Sequence, residues 1–159
     1  MQTQSPTFRE YAELIERKGQ ELITLSNEIT AAAETADAPR MAEYKTTLEA
    51  LLTEYNGIRA EYKETLLKDT AIARRNAREL GKAYREAMQT ERAFQDEAFE
   101  RMEREAREDF TPKESARRDE LHRIKAEAHQ RWTEATEDFE KKMHLYMGII
   151  LDEWEESNK

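Results

Sequence analysis

The side chains best suited to metal binding or acid–base chemistry are three histidines, His122, His129 and His144. A ferritin-like di-iron site needs two Glu-x-x-His pairs and two further carboxylates that face the inside of a helical bundle. The nearest match, Asp119-Glu-Leu-His122, occurs once and has aspartate in place of glutamate. His122 and His129 are seven residues apart, and a solvated helix face explains that spacing better than a metal site does. We therefore expect no metal site.

Motifs of other catalytic classes are missing from the sequence. It contains no HExxH sequence, no glycine-rich phosphate loop and no GxSxG elbow. The acidic run QDEAFERMEREARED at residues 95–109 has Glu and Arg at i,i+4 spacing, which is typical of a solvent-exposed helix. Cysteine is absent, which excludes disulfides and cysteine-ligated zinc. We predict a non-catalytic protein with no catalytic residues and no cofactor.

Basic residues are concentrated near the middle of the chain. Residues 38–80 contain eight Lys or Arg and seven Asp or Glu, whereas the rest is net negative and the whole chain has a formal charge of −9. Five basic residues follow helical spacing and are termed the arginine stripe: Arg74, Arg75, Arg78, Lys82 and Arg85. This stripe is a candidate site for phosphate or lipid headgroups, although a solvated face is the simpler interpretation. The overall acidity disfavours nucleic acid as a partner.

Helix-forming residues dominate the composition, so the sequence predicts an all-α fold. Thr7-Phe-Arg-Glu10 and Thr111-Pro-Lys-Glu114 both have the pattern of a capping box, and the second has proline at the first helical position. Pro39 disfavours a helical conformation at the residue before it. The predicted helices span about 8–36, 39–110 and 113–157, within a single coiled-coil domain over 1–159.

Apolar residues recur at an eleven-residue spacing along the second and third predicted helices. One series is Tyr55, Leu66, Ala77, Met88, Phe99 and Phe110, and another is Leu121, Trp132, Met143 and Trp154. An eleven-residue repeat keeps an apolar row almost parallel to the helix axis, and short connections make neighbouring helices antiparallel. We therefore expect an extended, oligomeric coiled-coil rod, with Ala77 facing Tyr146 and Ala73 facing Ile150. A compact four-helix bundle, in which the second helix folds back near 68–79, is the alternative.

The sequence MHLYMGIIL at residues 143–151 is apolar on almost every side of a helix. A membrane-spanning helix needs about 20 apolar residues, so this run is too short to cross a bilayer. Met143, Tyr146 and Ile150 belong to the predicted apolar row, while the other large side chains point elsewhere. Those side chains are the predicted oligomer or partner interface: Leu145, Met147, Ile149 and Leu151. We expect a homodimer or a larger oligomer.

Two segments resemble parts of a known family. MAEYKTTLEALLTEYNGIRAEYK at residues 41–63 resembles the second helix of sorting-nexin-type BAR domains, and EDFEKKMHLYMGIILDEWEE at residues 137–156 is similar to their last helix. The resemblance implies a dimer that binds curved anionic membranes through a basic concave face, a role that only the arginine stripe could take here. The short first helix and the net charge of −9 depart from the pattern of that family.

The leading functional hypothesis is a non-catalytic helical scaffold that self-associates and bridges other proteins. The alternatives are a BAR-like dimer that binds membranes or senses their curvature, and a coiled-coil stalk or chaperone of a secretion or viral assembly. The first residues, MQTQSPTF, have neither a basic start nor an apolar core, so no signal peptide is expected. With the absence of cysteine, this predicts a cytoplasmic location.

Overall fold

The structure, a computed structural model that describes residues 7–159, is built from three α-helices. They are α1 (Phe8–Glu34), α2 (Ala38–Glu105) and α3 (Pro112–Ser157). No β-strand occurs in the described part of the chain. The prediction of an all-α fold with three helices is therefore confirmed. Residues 68–79, where the sequence left open a fold-back, are helical and belong to α2.

Helices α1 and α3 each begin with a capping box, in which the side chains of a threonine and a glutamate accept hydrogen bonds from each other's backbone N–H groups. The Glu10 backbone N–H donates to Thr7 Oγ1 at 3.3 Å, and the Thr7 N–H donates back to the Glu10 carboxylate. At α3 the Glu114 N–H donates to Thr111 Oγ1 at 3.2 Å, and the Thr111 N–H donates to Glu114 Oε2 at 3.0 Å. Both predicted capping boxes are present.

Helices α1 and α2 end in the same motif, each with an alanine in the left-handed region. The φ angles are 53° at Ala36 and 52° at Ala106. After α2, the Arg107 N–H donates to the Met102 carbonyl at 2.9 Å and the Ala106 N–H donates to the Glu103 carbonyl at 3.3 Å. These two bonds define a Schellman motif, which glycine usually closes because it has no Cβ.

The predicted end of the second helix near residue 110 is wrong, since α2 ends at Glu105. The eleven-residue series included Phe110 as a residue of the second helix. The Phe110 ring does pack against Phe99, another member of the series, with centroids 5.7 Å apart. It does so from the connection before α3 instead of from the helix. No glycine or proline lies at residues 104–108, so no local signal for the end of α2 is present.

The chain forms two compact units, which divide between Leu67 and Lys68. In the first unit, α1 packs antiparallel against the beginning of α2. The rings of Tyr11 and Tyr62 have centroids 5.4 Å apart, and further along α1 the Lys18 ammonium lies 3.2 Å from Glu54 Oε1. Tyr11 and Leu25 are buried in this unit.

In the second unit, α3 packs antiparallel against the later part of α2. Arg101 Nε lies 3.1 Å from Glu114 Oε1, and farther from the connection the ring of Trp132 stacks on that of Tyr84 with centroids 5.5 Å apart. Counting back from Tyr84 along antiparallel helices places Ala77 opposite the region around residue 139, so its predicted pairing with Tyr146 is wrong. The same shift displaces Ala73 from Ile150. The earlier end of α2 explains the error, because it moves the whole of α3 along its partner.

Candidate interaction surfaces

Glu114 fixes the start of α3 against α2. Besides its capping bonds, its carboxylate accepts from Arg107 Nη1 at 3.1 Å and from Arg101 Nε at 3.1 Å. The Arg107 guanidinium, followed by the Thr111 backbone N–H, lowers the pKa of the Glu114 carboxyl to about 2. The connection is therefore held by a charged network that is complete only when Glu114 is ionised.

Glu91 places a carboxylate inside the contact between α2 and α3, where it is 7% exposed. It forms an ion pair with Lys125 and lies 3.1 Å from His122 Nδ1. The Lys125 ammonium is the main cause that lowers the pKa of Glu91, and His122 adds to the effect while burial opposes it. Sequence reasoning did not single out Glu91, because its acidic type matches the many exposed glutamates around it.

Two of the three histidines noted in the sequence make contacts between helices. His122 contacts Glu91, and the His129 ring packs against Tyr84 with centroids 5.0 Å apart. Asp119 instead accepts a hydrogen bond from the neighbouring Arg118, and His144 is exposed. Within residues 7–159 no group of three or more His, Asp or Glu is arranged to hold a metal ion.

Gly81 marks a close approach between α2 and α3. A Cβ added there would lie 2.9 Å from Trp132 Nε1, closer than ordinary van der Waals contact. Trp132 fills this space while it stacks on Tyr84, with an interplanar angle of 16°. A signal for this approach was present in the sequence, since Ala73, Ala77 and Gly81 are small residues spaced by one helical turn.

The predicted interface residues lie in the C-terminal part of α3. Leu145 is 46% exposed, Met147 45% and Leu151 57%, whereas Ile149 is partly buried. Helical geometry puts Leu145 and Ile149 on one side of the partly buried row and Met147 and Leu151 on the other. Trp154, which the eleven-residue series assigned to the buried row, is 64% exposed. We term these five residues the C-terminal apolar patch: Leu145, Met147, Ile149, Leu151 and Trp154.

All five residues of the arginine stripe are exposed on α2. Lys82 lies 3.8 Å from Glu86, an i,i+4 ion pair at the surface. The four arginines form no ion pair with any residue that the structure describes. The stripe therefore presents most of its charge to solvent.

These surfaces belong to a helical protein composed of two antiparallel helix pairs. The chain matches no protein-family model, and comparisons with curated proteins and with solved structures found no significant similarity. The resemblance to sorting-nexin-type BAR domains therefore stays a prediction. Within residues 7–159, no helix contains an apolar segment long enough to cross a membrane.

Proposed function

We propose that the protein is a non-catalytic helical assembly protein, which forms a homodimer or larger oligomer through the C-terminal apolar patch and bridges other proteins. The observation that carries the proposal is the exposure of four large apolar side chains within ten residues of α3: Leu145, Met147, Leu151 and Trp154. Apolar side chains scattered singly are normal on a protein surface, but this segment exposes large apolar side chains on both sides of its partly buried row, and such a concentration is typical of a site of interaction.

The energetic argument favours self-association. Complete burial of a leucine, isoleucine or methionine side chain contributes about 1.5–3 kcal/mol. A two-fold contact uses the same patch on both copies, so each buried side chain contributes twice. The half-exposed Leu145, Met147 and Leu151 have part of this energy still to gain. A second copy is always available at the same concentration and offers a surface of matching apolar character.

The finer architecture is part of this proposal. The eleven-residue spacing supports an extended coiled-coil arrangement over a compact four-helix bundle, because it keeps an apolar row straight along the helices. A cytoplasmic location is proposed for a chain whose sequence contains no cysteine. The second candidate, a BAR-like membrane-binding dimer, is supported by the exposure of the arginine stripe. A stalk or chaperone role would use the same apolar patch on a different partner.

The double variant Leu145→Glu with Ile149→Glu tests the self-association. Light scattering coupled to size-exclusion chromatography should show an oligomeric wild type and a monomeric variant, while circular dichroism shows equal helix content. The matched control is Ile23→Glu with Leu52→Glu, which puts the same charges at apolar residues that are 55% and 41% exposed in the first unit. The control should stay oligomeric. A wild type that is monomeric across a dilution series would overturn the proposal.

A further inference from the structure

One face of α2 carries two blocks of opposite charge. The basic block consists of Arg74, Arg78, Lys82 and Arg85, which belong to the arginine stripe. Farther along the helix, beyond the exposed Arg92, the same face carries an acidic block of Asp96, Glu100 and Glu103. Arg85 and Asp96 are eleven residues apart, the spacing that returns a helical residue to nearly the same direction. Every member of both blocks is exposed.

The charges on this face lack partners of opposite sign within the chain. Among the residues that the structure describes, Lys82 pairs with Glu86, and the other six side chains form no ion pair. Nearby charges outside this face do pair: Glu97 lies 3.9 Å from Arg101, Arg101 lies 3.1 Å from Glu114, and Glu91 pairs with Lys125. Other exposed charges of α2, such as Arg75 and Glu79, also lack an ion pair with any described residue, so this face is distinguished by the separation of its charges into two blocks of opposite sign.

Like charges within each block oppose each other. Arg74 and Arg78, and then Arg78 and Lys82, are i,i+4 pairs of the same sign, which destabilise a helix. Asp96 and Glu100 repeat the arrangement with negative charge. The blocks cannot relieve each other within one helix, because their centres are separated by about 20 residues, or roughly 30 Å at about 1.5 Å per residue. A partner that carries both signs in reverse order would relieve both.

We propose that this face of α2 binds the same face of a second copy in antiparallel orientation about a two-fold axis. One register places Arg78 opposite Glu103 of the second copy, Lys82 opposite Glu100 and Arg85 opposite Asp96. The register exists because the members of each pair lie almost equally far from a point between Thr90 and Glu91. In a two-fold contact each pair occurs twice, so six of the seven charges in the two blocks of each copy are matched, and Arg74 lies beyond the paired positions.

A second copy fits this face better than an anionic membrane does. Lipid headgroups would attract the basic block but repel Asp96, Glu100 and Glu103 on the same face. The antiparallel copy satisfies both blocks at once. This contact goes beyond the association through the C-terminal apolar patch, because it uses another surface and a different force. Salt weakens contacts between exposed charges, whereas an apolar contact has no such dependence.

Two charge-reversal variants test the pairing. One replaces the basic side chains, with Arg78→Glu, Lys82→Glu and Arg85→Glu, and the other replaces the acidic ones, with Asp96→Lys, Glu100→Lys and Glu103→Lys. Each variant alone places like charges across the contact, and self-association at low salt should weaken about tenfold or more. An equimolar mixture restores opposite charges at every pair, so it should form a heterodimer. A variant that misfolds would not regain association on mixing.

The measurements are made both in the wild-type chain and with Leu145→Glu and Ile149→Glu present, so that failure of either contact is seen separately. The matched control is Arg117→Glu, Arg123→Glu and Arg131→Glu, which changes the net charge equally at exposed positions of α3 and should leave association unchanged. Three results would overturn the proposal: unchanged self-association of both reversal variants, failure of the mixture to associate, or binding of wild type to phosphatidylserine vesicles that the basic-to-acidic variant loses. The last result would assign the face to lipid.

Discussion

At the scale of single residues, Gly81 shows how the absence of one methyl group positions a large aromatic ring. The indole of Trp132 occupies the space next to the Gly81 backbone and stacks on Tyr84. By contrast, a Cβ at Gly57 would meet no atom within 4 Å. Space for a side chain is therefore limited at Gly81 and open at Gly57.

Gly81→Ala should destabilise the protein. Alanine favours the helix by about 1 kcal/mol over glycine, but the overpacking against Trp132 costs typically about 1–3 kcal/mol. Gly57→Ala is the control and should stabilise by up to about 1 kcal/mol, since it adds helix propensity without a clash. Urea denaturation followed by circular dichroism measures both. Equal stabilisation by the two substitutions would show that Trp132 yields without cost.

Glu114 makes part of the stability dependent on pH. Its pKa is lowered from 4.5 to about 2 in the folded protein, so its ionised form stabilises the fold fully above pH 4.5, and this contribution disappears as the pH falls toward 2. Glu114→Gln should therefore be less stable than wild type at neutral pH, and the difference should shrink across that window. Thermal unfolding at several pH values provides the measurement.

The control for Glu114→Gln is Glu120→Gln. Glu120 pairs with Arg117 at 2.7 Å on the exposed surface, and both residues of this ion pair belong to α3. Exposed pairs of this kind contribute little. The same loss of stability in both variants would mean that the network around Glu114 has no special role in attaching α3 to α2.

At the scale of elements, the beginnings of helices could be predicted and one of their ends could not. Thr7 and Thr111 each lie three residues before a glutamate, so the capping signal is complete within four residues of sequence. The stop at Glu105 depends on Ala106 taking a left-handed conformation that alanine does not favour. A helix end that goes against the conformational preference of its residues cannot be predicted from that preference.

Ala106→Gly should stabilise the end of α2. Glycine adopts a positive φ without a steric penalty, and after the greater entropy of its unfolded chain is subtracted, we expect a net gain of about 0.5–1 kcal/mol. Ala60→Gly, at an exposed position inside α2, should instead cost about 0.5–1 kcal/mol. Chemical denaturation of the two variants gives the comparison. A loss of stability in both would argue against the left-handed conformation at Ala106.

At the scale of the whole molecule, the two proposed contacts use different physical forces. The C-terminal apolar patch associates by removing apolar surface from water, and the charged face of α2 associates by pairing blocks of opposite sign. A chain with two self-complementary surfaces can join one copy through each of them, so the proposals together imply an assembly that extends beyond a dimer. The formal charge of −9 opposes uncontrolled growth, since like-charged molecules repel.

The helix class and the exposure of Leu145, Met147 and Leu151 could be predicted from the sequence because both depend on local periodicity, whereas Ile149 is partly buried. The pairing of α2 with α3 did not, because it is set by the connection at residues 106–111 and by contacts between residues far apart in the chain. The ion pair of Glu91 with Lys125 belongs to this second class. Glu91 was one of 35 acidic residues in the sequence, and its burial became apparent only in the packed helices.

Glu91 also restricts which alignments of α2 and α3 are possible. The fit of Trp132 at Gly81 favours one offset of the two helices, and the Glu91–Lys125 ion pair adds a second, electrostatic requirement. A slide of α3 by three or four residues would bring His122 or Leu121, or in the other direction Ala128 or His129, to the position of Lys125, so the Glu91 carboxylate would lose its lysine. Removing one partner of a buried ion pair costs far more free energy than the intact pair contributes to stability. The Glu91–Lys125 ion pair therefore selects one alignment of α3 along α2, because it raises the free energy of the alignments in which the two side chains do not meet.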